Sequence, residues 1–280
     1  MKKVKAVNTE TFNSISAFLN AINSRKNNEN MKRDNSSHRT NDISFFATAN
    51  YEEAEKLITN GWEEILPEIK RQFTSSVKQN SNGTINKRRT YNHVEGYAPH
   101  VPNAILGVPQ SMINTQRVAQ KVKVVSLIYS PTANCGTNGD TFIKAGIVIL
   151  NIVNQLELNG IRVNLKIAAK DSMDYDNNYA GSFVTIKNYR EPLDLKKVAF
   201  PIAHPSMLRR FGFKWLETFP ELKGDFSGGY GHTVSDEKDH KEFLTQIGVI
   251  KPTDYFISLG HIEQANFDTQ RVIQKFGIEF

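Results

Sequence analysis

With 280 residues, 39% of them hydrophobic, the chain can bury roughly three quarters of the surface it exposes when unfolded, enough for a large core. Its one cysteine, Cys135, excludes an internal disulfide framework and marks no oxidising compartment. The net charge of +6 lies mostly in residues 1–120, where 16 Lys and Arg face 11 Asp and Glu; residues 121–280 carry 19 against 18.

No apolar run approaches the roughly 18 residues a membrane helix requires. The longest, residues 145–153, is interrupted by Asn151. The basic start, Met-Lys-Lys-Val-Lys, is not followed by the apolar stretch of a signal peptide, so the expected location is cytoplasmic.

Residues 1–120 are expected to form a helical and partly irregular N-terminal region. A helix is expected over residues 7–23, where Phe12, Ile15, Phe18, Leu19 and Ile22 recur at spacings of three and four. A polar linker follows near 24–42. Asn50 is a candidate N-cap for a helix from Tyr51 to about Thr59, with Glu52 and Glu53 complementing its dipole. Gly61 is placed to end it, and another helix is expected from Trp62 to Phe73. Lys87, Arg88 and Arg89 form the densest basic run, in a polar loop, and such a run is a candidate phosphate contact. Residues 96–109, with three prolines and two glycines, are expected to be irregular.

From about 121 the pattern becomes that of an α/β domain, expected to reach residue 280. Val122 to Tyr129 is β-branched and apolar, as in a buried strand. Asn138 or Asp140 is expected to cap a helix whose stripe is Ile143, Ile147, Leu150, Val153 and Leu156, and Asn159-Gly160 is expected to stop it. Ile161 to Ile167 alternates as a strand does, completing a strand–helix–strand crossover. Strands are expected at 182–187, 197–202 and 254–259. Helices are expected at 204–219, 237–246 and 268–276. The alternation predicts a mostly parallel open sheet with helices on both faces.

Ligands of such sheets sit beyond the carboxyl ends of the strands. That draws attention to the loop after the first buried strand, with Ser130, Thr132, Asn134, Cys135 and Asp140 as candidate ligand or partner contacts. No phosphate-loop or dinucleotide fingerprint is present in it. Cys135 has no histidine near it in sequence. His204, with Arg209 and Arg210 one turn further along, is the most distinctive polar cluster and would suit an anion or hold a loop. The histidines at 204, 232, 240 and 261 lack a metal-ligand spacing, and Asp236 to His240 has the composition of a charged helix start. No catalytic residue, metal or cofactor is assigned.

The order strand, long helix, two strands, helix, strand, helix from about Lys121 resembles the von Willebrand factor A fold. Such domains carry an Asp-x-Ser-x-Ser metal motif after their first strand. Here the matching stretch is Tyr129-Ser130-Pro131-Thr132-Ala133, so the resemblance implies a fold whose metal site is lost. The chain is also similar to an uncharacterised family of bacteriophage and prophage proteins. The similarity lies in Phe46–Ala54 with Asn60-Gly-Trp62, Gly96–Pro102 with Leu106–Met112, Leu156–Val163, and His204–Phe211. That resemblance implies the cytoplasm of a host cell, or the virion, and supplies no activity. Three functions remain open: a non-enzymatic protein-interaction module, a nucleic-acid-associated factor using the basic residues, and an enzyme acting on a phosphorylated ligand at the 130–140 loop with His204.

Overall fold

The computed structural model describes residues 3–28, 42–76, 88–117, 122–226, 229–234 and 237–279. Lys87 and most of the expected linker lie outside them.

The first segment divides at Ser14 into strand β1 (Val7–Phe12) and helix α1 (Ile15–Ser24), correcting the single helix expected over 7–23. Ser14 caps α1 by accepting from the Ala17 amide at 3.1 Å. The residues before it pair in parallel with a later strand, from Val7 opposite Tyr179 to Phe12 opposite Val184. The helical spacing was genuine from Ile15 on. Ahead of it, β-branched Val7, Thr9 and Thr11 alternate along a strand.

Helices α2 (Ile43–Phe46), α3 (Tyr51–Asn60, capped by Asn50) and α4 (Leu66–Ser76) follow. Strands β2 (Arg88–His93) and β3 (Ala98–Pro99), helix α5 (Val101–Ile105) and strand β4 (Met112–Arg117) make a small antiparallel sheet, ordered β2-β4-β3. This is a second correction, since residues 96–109 were expected to be irregular and no strand was expected before residue 122. Neither β2 (Arg-Arg-Thr-Tyr-Asn-His) nor β4 has an apolar side, and Tyr91, Val94 and Tyr97 remain exposed, so the sequence carries no alternation to reveal the sheet.

The strand–helix–strand unit is present as expected: β5 (Val124–Ser130), α6 (Gly139–Leu158) and β6 (Arg162–Met173), with β5 and β6 parallel. Asn138 caps α6, and Gly160 takes a left-handed φ of 77° in the stop that follows. Burial on α6 exceeds one stripe: Ala145 to Val153 is buried throughout, because the helix is enclosed by the sheet, α4 and the later helices. This helix is long and apolar enough to cross a membrane, and it is mostly buried in the core.

Strand β7 (Tyr179–Lys187) turns back antiparallel to β6. Residues 195–203, expected to contain a strand, form helix α7 (Leu195–Ala203), capped by Asp194. An unbroken apolar run does not separate a buried strand from a buried helix; here the cap ahead of it decides. A π-helical segment, Met207–Gly212, leads into α8 (Phe213–Thr218). Then come α9 (Glu237–Gln246), β8 (Tyr255–Ser258), α10 (Leu259–Gln264) and α11 (Thr269–Phe276).

The main sheet has the order β1-β7-β6-β5-β8 and is parallel apart from the β6–β7 pair. Leu127, Tyr129, Val163, Leu165 and Ile167 face a large core beneath α6 and α7. Ile128, Ala168, Phe183 and Phe256 face a smaller core with Leu244 of α9 on the opposite side. The sheet is therefore flanked by helices on both faces.

Candidate functional site

Strands β5 and β8 end side by side, with Ser130 opposite Ser258 in register. Two clefts lie at this carboxyl edge. One, of about 660 Å³, is bordered by Ser130, Asp171, Thr233, His240, Ser258 and Glu263. The other, of about 400 Å³, is bordered by Phe45, Cys135, Lys170, Arg209, Phe213 and His232. Thr132, Ala133 and Asn134 line both, so the loop after β5 forms the ridge between them.

A β-bulge between Ala168 and Lys170 prepares the floors of the two clefts. Before it, Val163, Leu165, Ile167 and Ala169 alternate toward the large core. The bulge inverts that alternation, as an extra residue in one strand must. Lys170 then turns to the face of the large core, beside Phe213 and Tyr230. Asp171 turns to the opposite side, toward Tyr179 and His240.

Asp171 is 2% exposed. Its Oδ2 accepts from Ser130 Oγ at 2.6 Å, its Oδ1 accepts from the Tyr179 hydroxyl at 2.7 Å, and His240 Nε2 stands 2.9 Å from Oδ1. Burial pushes the carboxyl up, but the proximity of His240 and the hydrogen bonds from Ser130 and Tyr179 outweigh it and hold the group below the ordinary aspartate value. Burial, with the nearby Asp171 charge, drives the Tyr179 phenol well above its usual value, so it stays a donor. A carboxylate held this way is a poor base, and the Ser130 proton is committed inward. The cluster ties β5, β6, β7 and α9 together more readily than it activates a nucleophile.

The other sequence candidates divide. Thr132 and Asn134 sit on the ridge, and Cys135 is exposed on the smaller cleft. Asp140 is exposed in the first turn of α6 and lines neither cleft. His204 lines neither cleft. Its ring stacks on Phe200 at 4.5 Å and meets Trp62 edge-on at 4.8 Å, and its Nδ1 accepts from the Ser206 amide at 3.1 Å. Burial pushes its pKa down to about 3, so it is neutral.

Arg209 donates to the carbonyls of Phe45 (2.6 Å) and Thr137, with its guanidinium 4.0 Å from the Phe45 ring centroid and 4.8 Å from that of Phe142. Arg210 donates to the side chain and carbonyl of Thr48 at 2.7 and 2.8 Å. Both arginines fasten the 42–48 segment to the π-helical turn. Burial pushes Arg209 down to about 10, which leaves it charged at neutral pH.

Lys170, Asp171 and Tyr179 were missed from sequence. Their signal was a charged pair in Ala-Ala-Lys-Asp-Ser continuing an apolar strand past Ile167. His240, seen as part of a charged helix start, is buried against Tyr179 and Phe256. Among the described residues, no group of three His, Cys, Asp or Glu side chains is arranged to hold a metal.

Fold and site together define an α/β protein with its clefts at the carboxyl edge of a mostly parallel sheet. The chain belongs to the uncharacterised family described as a domain of unknown function (DUF7192), which it matches over residues 2–279. No curated protein and no solved structure matches it.

Proposed function

We propose that the chain is a non-enzymatic interaction module on a von Willebrand factor A-like sheet, presenting its carboxyl edge to a protein partner without a metal. The observation that carries this reading is the state of the loop after β5. Where the metal motif would begin, Tyr129 is fully buried in the core, and the Ser130 hydroxyl points into the protein at Asp171. The strand order β7-β6-β5-β8, with β7 the antiparallel neighbour, supports the likeness; β1, added outside β7, departs from the resemblance as read from residue 121 on. A bacteriophage or prophage origin, with residence in the host cytoplasm or virion, belongs to the same proposal.

Asn134 and Glu263 are exposed on the rim of the larger cleft. Immobilised protein should retain a partner from a phage-infected lysate equally well in EDTA and in magnesium. Asn134→Lys with Glu263→Lys should abolish that retention, since charge placed on a rim changes encounter and complementarity. Retention that requires magnesium, or that survives both substitutions, overturns the reading.

A second reading, nucleic-acid binding, is favoured by one separate observation. Residues 78–123 hold seven Lys and Arg against Glu95 alone, equal to the net charge of the whole chain. Within them Arg88 lies directly opposite Arg117 in the β2–β4 register.

A further inference from the structure

The smaller cleft contains a group that an interaction surface does not use. Lys170 is 2% exposed and shares the cleft lining with Phe45, Phe46, Phe213 and Phe226 and with the charged side chains Asp42, Asp174, Arg209 and Asp225. Its Nζ donates to the Tyr230 carbonyl and lies 5.2 Å from the Phe213 ring centroid. Among the described residues, no carboxylate stands within ion-pairing distance of it. Asp171, its chain neighbour, faces the other side of the sheet.

The wall that positions this amine is itself fixed. The Tyr230 ring stacks on Phe213 at 3.9 Å, its hydroxyl donates to Glu217 at 2.6 Å, and its carbonyl accepts also from Ser172 Oγ at 3.1 Å. His232 is bridged to Met173 by backbone hydrogen bonds of 2.8 and 3.0 Å. At the mouth, exposed Tyr175 lies 5.4 Å from the His232 ring, an aromatic lip suited to a flat apolar ligand.

We propose that Lys170 is a reactive amine that captures a small aromatic aldehyde in this cleft as an imine. The Nζ lone pair attacks the carbonyl carbon and forms the C–N bond of a carbinolamine. The former carbonyl oxygen then leaves as water with both amine protons, giving the C=N bond with no change of oxidation state. An amine desolvated by burial and not ion-paired is suited to this, because its unprotonated form is favoured by desolvation. Burial lowers Lys170 to about 7, with the Asp171 charge only partly opposing it.

The test is reductive trapping of the full chain with benzaldehyde and cyanoborohydride, followed by intact mass and peptide mapping. Surface lysines, near 10.4, keep on the order of one free amine in a thousand at pH 7, so Lys170 should be benzylated about tenfold faster or more. The α-amine, near 8, serves as the internal reference. Trapping at Lys170 should rise with pH through a midpoint near 7 and slow when Phe213→Ala admits water. Lys170→Met should lose the fast phase while retaining the native circular dichroism spectrum. Labelling spread over surface lysines with Lys170 silent overturns the proposal, as does modification of Lys170 only after denaturation in urea.

Discussion

Asp171 carries its charge where almost no water reaches, supported by a serine, a tyrosine and a histidine from three other elements. Replacing the carboxylate by an amide removes an acceptor that the buried Ser130 and Tyr179 hydroxyls both use, and leaving buried polar groups unsatisfied costs about 1–3 kcal/mol. Asp171→Asn should therefore lower the unfolding free energy at pH 7 by about that amount, read as a fall in the urea midpoint at unchanged m. The pH dependence follows from the depressed pKa. An unfolded Asp171 takes up its proton near the usual 3.8, and the folded one only below that. Its contribution is thus complete above the ordinary aspartate range and is lost as pH falls through the folded value. Urea midpoints of the wild type should drop on acidification below about pH 4, and Asp171→Asn should flatten that drop. An unchanged profile in the variant would remove Asp171 from this role.

Helices α6 and α7 approach so closely that a Cβ built on Gly146 would stand 2.4 Å from both Cα and Cβ of Ala203. The obstruction includes backbone, which cannot swing aside like a flexible side chain. Gly146→Ala should cost about 1–3 kcal/mol despite the better helix propensity of alanine, and thermal denaturation reads it directly. The same contact explains why α7 is a helix: it fills a slot against α6 that an isolated apolar run does not announce. The elements that were legible, α3, β5, α6, β8 and α11, carry their own instructions. Asn50, Asn138 and Asp268 cap helices, and Gly61, Gly160 and Gly277 follow helix ends with positive φ. The elements that were not legible, β1, β2 and β4, are strands whose partners are distant in sequence or whose faces are not buried.

Charge is distributed unevenly across the molecule. The small sheet and its flanking chain hold the full excess of +6, while the remainder of the sequence is balanced. The segment that joins the strands of the small sheet also presents Tyr97, Val101, Ile105 and Leu106 to solvent. If it takes single-stranded nucleic acid, the observed binding constant should fall with salt, with a log–log slope of about −0.7 per phosphate neutralised. Arg88→Glu with Arg89→Glu should reduce that slope by about two such increments and weaken binding to every oligonucleotide alike. Fluorescence anisotropy across a salt series measures both. Absence of binding at low salt, or affinity independent of salt, eliminates this reading and leaves the carboxyl-edge proposal untouched.

The sequence alone determined the strand–helix–strand unit between Val122 and Ile167, because periodicity and caps are local properties that the chain writes within a few residues. It also determined that the loop starting at Ser130 would lie at the carboxyl edge. Tertiary structure alone decided what that edge contains. The bulge at Ala168–Lys170 sends two adjacent charged residues to opposite sides of the sheet, and its position depends on pairing with β7. The pairing of Asp171 with His240 joins residues far apart in the chain. Arg209 and Arg210, which in sequence suit an anion, are occupied by the carbonyls of Phe45 and Thr48, 164 and 162 residues earlier, and Arg209 also by that of Thr137. A buried guanidinium must find acceptors wherever the fold places them, and no local pattern tells which ones it will meet.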